Sequence, residues 1–211
     1  MTVASSSQPQ SQQQDPDALV RVGNWLFRQR TLLPLPIALA LVLLPSHPLA
    51  SPFLVWGGVA LVASGELLRL WAVRHIGGIS RTRSDRLGPL VASGPFARLR
   101  NPLYFANIAL WVGFAASAGL VWLIPPIVLL LAFEYHAIVR WEERLLEGRL
   151  GDNYREYAAR VPRWIPWASP VSLKSQVSSL KFSWRQTLFS ERGTLIAIAL
   201  GYLLIWYKSQ V

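Results

Sequence analysis

Apolar positions along this chain come in long blocks separated by charged stretches. Leu32 to Leu44 is a short apolar run that contains Pro34 and Pro36 and is closed by "PSHP". Pro52 to Val73 is longer and interrupted only by Glu66 and Arg69. Leu103 to Val139 holds Glu134 and His136 as its only ionisable groups apart from tyrosine, and Thr194 to Tyr207 is a last apolar run before Lys208. A helix needs about 20 residues to cross a bilayer core. Leu103–Val139 is therefore too long for one helix, and "ASAG" at Ala116–Gly119 supplies a turn. The pattern predicts two helices there, Leu103–Ala116 and Leu120–Val139, the second distorted by Pro125 and Pro126. The first run reaches span length only if it begins near Leu26, and the last is short for a full span. The expectation is an all-α integral membrane bundle of about five transmembrane helices, with a cytoplasmic helical segment after the fourth.

The polar stretches divide the chain. Residues 1–17 are rich in Ser and Gln and are expected to be a disordered tail. Residues 18–168 are expected to form the membrane-embedded domain. Residues 169–211 are expected to be an interfacial segment followed by the final apolar helix. Glu142 to Arg160 carries many charges at helical spacing, with Leu145, Leu146, Leu150, Tyr154 and Tyr157 as its apolar stripe. "VPRWIPW" then ends the helix. Lys and Arg number 3 before Thr31, 7 from Arg69 to Arg100 and 10 from Arg140 to Arg192, out of 21. Five spans place all three groups on one face, which the positive-inside rule makes cytoplasmic, with the C-terminus outside. With four spans the C-terminus stays inside.

Composition narrows the function classes. A net charge of +10 alongside 52% hydrophobic residues points to anionic lipid as partner and away from nucleic acid. Ten Trp, most beside the apolar runs, suit interfacial belts or core packing. The absence of cysteine excludes disulfides, thiolate metal sites and thiol nucleophiles. His47, His75 and His136 match no metal-ligand spacing, so no metal is expected. No glycine-rich phosphate loop, G-x-S-x-G or H-E-x-x-H occurs.

Two polar clusters remain, one at each end of the apolar hairpin, and a hairpin that crosses and returns brings them to the same face. In "GPFARLRNPLY", Gly94 and Pro95 form a turn, and Arg98 and Arg100 suit a carboxylate or phosphate. Asn101 and Pro102 open a helix as N-cap and first residue. In "RWEERLL", Glu142 and Glu143 stand between Arg140 and Arg144. A solvated helix start is the plainer account of the Glu pair alone. Glu66 and Arg69, one turn apart, are either a self-satisfied pair or an intramembrane functional site.

Taken together, "LVASGPFARLRNPLYFANIALWVGF" and "EERLLEGRLGDNYREYAARVPRWIP" resemble the isoprenylcysteine carboxyl methyltransferase and phospholipid methyltransferase superfamily over about Glu66 to Trp167. The resemblance implies a membrane-embedded, all-helical enzyme that uses S-adenosyl-L-methionine on a lipid or prenylated acceptor. It implies cofactor binding by Phe96, Asn101, Pro102, Leu103, Tyr104 and Glu142, and Gly94 and Arg100 of the same motif are added to that set. Asn101 stands where the family has His, and Phe96 where it has Tyr. The family's substrate arginine falls on Ile138, with Arg140 two residues later. Arg140 is therefore expected to orient a carboxylate acceptor and Glu143 to act as a base, with Glu142, Glu134 and His136 as other candidate bases. The expected activity is isoprenylcysteine carboxyl O-methylation at the cytoplasmic face. The alternatives are N-methylation of a phosphatidylethanolamine-type phospholipid and a non-catalytic lipid-binding protein with a decayed cofactor site.

Overall fold

A computed structural model describes residues 18–45, 51–77, 90–165 and 182–210. The N-terminal tail, three of the seven cations counted from Arg69 to Arg100 (Arg81, Arg83 and Arg86), His47 and residues 166–181 lie outside the described residues. Within them all regular structure is helical: α1 (Ala18–Gln29), α2 (Leu35–Leu43), α3 (Pro52–Ile76), α4 (Pro102–Ser117), α5 (Ile124–Leu150), α6 (Asp152–Arg160) and α7 (Trp184–Lys208). The architecture is an all-α membrane bundle. Three of its helical stretches, Pro52–Ile76, Val121–Leu150 and Trp184–Lys208, have the length and apolarity to cross a bilayer, and α4 is a shorter apolar helix. The first apolar run yields only the nine residues of α2, because Pro34 and Pro36 confine its start and it ends at Leu44 in extended backbone.

Small residues set the packing of α3 against α4. A Cβ on Gly58 would stand 2.6 Å from the Gly113 carbonyl, and one on Gly113 would stand 2.6 Å from Val62 Cγ2. One on Gly65 would stand 3.0 Å from the Ala106 carbonyl, so the antiparallel backbones touch along about two turns. Apolar side chains gain little by leaving lipid for protein, and close approach of small residues supplies the contact instead. Ser117 at the end of α4 bonds the Val55 carbonyl at 3.4 Å and lies 3.2 Å from the Tyr202 hydroxyl of α7.

The turn after α4 lies where the sequence places it, with Gly119 at φ +72°. The helix that follows does not stop at Val139. α5 runs on through the charged cluster to Leu150, 27 residues in all. At 1.5 Å per residue that is about 40 Å, longer than the ~30 Å apolar core, so its last turns stand clear of it. Gly151, at φ +54°, ends α5 and turns the chain into α6. Tyr154 and Tyr157 of α6 are buried with Ala92 and Val161 beside Leu146 and Leu150. α1 lies along the far half of α5, with the Phe27 and Trp141 rings 4.7 Å apart.

α7 begins ten residues earlier than the apolar run that marks it, at a Ser183–Gln186 capping box, and so reaches full span length. Arg69 and Glu191 enter the bundle as a pair. Arg69 bonds Glu191 of α7 at 2.7 Å and also donates to Asn107 and Thr194. Its expected partner Glu66 is 3.5 Å away. The pair seen in the sequence is thus half of a network that ties α3, α4 and α7 together.

Replacing Gly113 by Val should force α3 and α4 apart and lower stability by about 1–3 kcal/mol, the range for overpacking. Gly57, whose Cβ would meet nothing within 4 Å, should tolerate Ala without loss. Thermal unfolding of both variants in detergent checks the contrast.

Candidate functional site

The site is assembled from three segments: the entry to α4, the distal part of α5, and the strap that follows α6. The entry starts with Gly94, whose φ of +61° only glycine adopts without strain. A Cβ there would also run into the ring of His75, whose Nδ1 lies 3.0 Å from the Ser93 hydroxyl. Gly94–Ala97 forms one 3₁₀ turn that buries Phe96 against Ala72 and Val91. The Tyr157 hydroxyl donates to the Phe96 carbonyl at 2.9 Å, fastening the turn to α6. Arg98 is exposed.

The next residues are joined to the strap. The Arg100 amide donates to the Pro162 carbonyl at 2.9 Å, and Asn101 Nδ2 donates to the Arg163 carbonyl at 3.2 Å. Asn101 occupies the N-cap position of α4, yet its side chain makes no cap bond. The strap takes that side chain instead, which corrects the expectation of a simple cap. Pro102 is buried at the first helical position, as expected, and Leu103 packs against the Phe96 cluster.

Glu143 of α5 sits between two arginines. Arg100 Nη1 donates to its Oε1 at 2.8 Å, and Arg163 donates through Nε at 3.0 Å and Nη2 at 2.6 Å. The Glu143 bond holds the Arg163 guanidinium above its ordinary range, against the opposing effect of burial. Burial raises the nearby Tyr154 phenol, and the Glu143 carboxylate adds to this while Arg100 and Arg163 oppose it. Burial likewise raises Tyr157.

Glu142 is placed differently. It accepts a hydrogen bond from the Tyr104 hydroxyl at 3.1 Å, and the Tyr104 ring stacks on Tyr135 of α5 at 4.7 Å. A carboxylate has about four acceptor positions, so Glu142 keeps capacity that Glu143 has given to its arginines. Arg100 in turn keeps a buried Nε with no hydrogen-bond partner. The structure therefore brings together Gly94, Phe96, Arg100, Asn101, Pro102, Leu103, Tyr104, Glu142 and Glu143. Arg140 is exposed one turn before Glu143, and Ile138 is fully buried. Arg163 and Tyr135 belong to the cluster and were not assigned from sequence. "VPR" was visible as a closing motif, but nothing local told that its Arg meets Glu143.

Comparison with known proteins agrees with this segment. Residues 53–153 match the family described as phospholipid methyltransferase. The cobalt-zinc-cadmium resistance protein CzcN of Cupriavidus metallidurans is 31% identical over 116 residues, 55% of this chain and 50% of that protein. The nickel-cobalt-cadmium resistance protein NccN of Alcaligenes xylosoxydans xylosoxydans is 33% identical over 109 residues, 52% of this chain and 46% of that protein. The chain thus matches about half the length of these curated relatives. No solved structure gives a significant match.

Glu143→Gln should leave two guanidinium groups without their counter-charge. Breaking one partner out of a buried pair costs about 3–5 kcal/mol, and the partial exposure of Arg163 puts the expected loss at the low end. Substituting Glu143 and Arg163 together by Leu should cost less than the sum of the single changes. Unfolding in detergent, read as a double-mutant cycle, measures both.

Proposed function

Since residues 53–153 match the phospholipid methyltransferase family, we propose that this chain is an integral membrane S-adenosyl-L-methionine-dependent methyltransferase acting on a lipid or lipid-modified acceptor. The observation that carries the reading is the asymmetry of the two adjacent carboxylates. Glu143 is consumed by Arg100 and Arg163, whereas Glu142 accepts one phenol bond from Tyr104. The first acts as a clamp and the second as a binding group.

The residues present fit the cofactor's chemistry. Glu142 has acceptor capacity for ribose hydroxyls or an α-amino group, and Arg100 Nε is an open buried donor for a carboxylate. The stacked Tyr104 and Tyr135 give an aromatic wall beside Glu142. Gly94, Phe96 and Asn101 through Leu103 shape the entry to α4 around these groups. When bound, the cofactor supplies an electrophilic methyl group and needs no metal or covalent enzyme intermediate. The chain contributes position and exclusion of water, and proximity supplies most of the rate.

The acceptor follows from the same geometry. Arg100 and Arg163 are committed to Glu143, and Arg140 is exposed. With Arg100 Nε assigned to the cofactor's carboxylate, these three arginines fit an uncharged or amine acceptor, as in phospholipid N-methylation, better than a second carboxylate. The concentration of Lys and Arg beside the site supports a cytoplasmic orientation.

Calorimetric titration with S-adenosylhomocysteine tests the reading on detergent-purified protein. Wild type should bind, and Glu142→Ala should weaken binding about ten- to hundredfold, the worth of a hydrogen bond to a charged group. Absence of binding by folded wild type would favour the non-catalytic alternative.

A further inference from the structure

The first helix, α1, has two unlike faces. Val20, Gly23, Leu26 and Phe27 are buried. Gly23 permits a close approach to α5, because a Cβ there would run into the Ala137 carbonyl. On the other side Arg21, Trp25 and Arg28 follow at i, i+4 and i+7, so they form one stripe. All three are exposed, Trp25 at 59%. The helix includes no acidic residue. Arg28 donates to the neutral Asn24 side chain at 3.2 Å and so keeps its charge.

Packing fixes the depth of this stripe. The Phe27 ring lies against Trp141 of α5, about 26 Å along that helix from Ile124 at 1.5 Å per residue. That is close to the far edge of a ~30 Å apolar core. Arg144, exposed one turn beyond Trp141, adds a cation near the same edge. Glu147 on the following turn spends its charge on Arg155 at 2.8 Å. Guanidinium groups beside an exposed indole at this depth suit the head-group layer. Tryptophan settles there, basic side chains there attract anionic lipid, and a guanidinium fork matches two phosphate oxygens.

We infer that the Arg21–Trp25–Arg28 face of α1 is a binding site for anionic phospholipid of the surrounding leaflet, the arginines holding head-group phosphate and Trp25 bordering the acyl chains. A zwitterionic head group brings its own cation to the same place, so net charge decides which lipid stays. A second copy of the chain does not suit this face, because two such stripes would set like charges against each other. α1 precedes the matched segment of residues 53–153, so the site does not depend on the methyltransferase reading.

The test releases the full-length protein from nanodiscs of equimolar phosphatidylglycerol and phosphatidylcholine, and native mass spectrometry counts the lipids it retains. Wild type should retain phosphatidylglycerol in preference to phosphatidylcholine. Arg21→Gln combined with Arg28→Gln should lower that preference at least about fivefold, the worth of one basic residue near an anionic surface. Arg21→Lys combined with Arg28→Lys keeps the charge and should keep most of the preference. Arg185→Gln combined with Arg192→Gln removes the same charge from exposed positions on α7 and should leave the preference in place. The α1 side chains are exposed, so thermal unfolding should not shift in either α1 variant. No preference in wild type, an unchanged preference in the α1 Gln pair, or an equal loss from the α1 and α7 Gln pairs would overturn the proposal. So would a wild-type dimer that the α1 Gln pair dissociates, which would make the face a contact between copies.

Discussion

Two guanidinium groups closing on one carboxylate hold the polar end of this bundle together. Arg100 comes from the entry to α4, Glu143 from α5 and Arg163 from the strap after α6. No two of these segments are adjacent in sequence, so the ion triad is what makes them one site. Its three hydrogen bonds are short and little exposed, where a charge without a partner is expensive. The backbone bond from Arg100 to Pro162 and the Asn101 bond to Arg163 run alongside it. Disturbing any of them would loosen the turn at Gly94 and the start of α4 together.

The same rule operates deeper in the bundle. Arg69, Glu191, Asn107 and Thr194 form a second polar network, and Glu191 is 1% exposed. Charges at that depth persist because each finds a partner on another helix. Close contact of Gly58, Gly65 and Gly113 brings α3 and α4 near enough for Arg69 to reach Asn107. Packing of small residues and satisfaction of charge are therefore one arrangement.

The proposed function depends on what the clamp leaves over. Because Glu143 takes both arginines, Glu142 stands beside a phenol pair with acceptor capacity unspent, and Arg100 retains one donor. An arrangement that spread the arginines over both carboxylates would leave nothing to hold a ligand. This division of labour between neighbours one residue apart on a helix follows from the 100° step between them, which turns their side chains to different surroundings.

The chain's periodicity alone determined the helical class, the turn at Ala116–Gly119, and the placing of two polar clusters at one end of a hairpin. These are local properties: apolar runs of span length and a glycine-bearing break report themselves without reference to the rest of the chain. The motif "GPFARLRNPLY" and the Glu pair were legible for the same reason. Tertiary structure alone decided which charges meet. Arg69 keeps its sequence neighbour Glu66 at 3.5 Å but closes to 2.7 Å on Glu191, 122 positions away, and Glu143 turned to Arg163 across a complete helix. It also let α5 continue to Leu150 and α7 begin at Trp184, because a charged turn that emerges from the apolar core or finds a partner need not end a helix. Pairing energy is set by distance in space, and linear spacing carries no record of it.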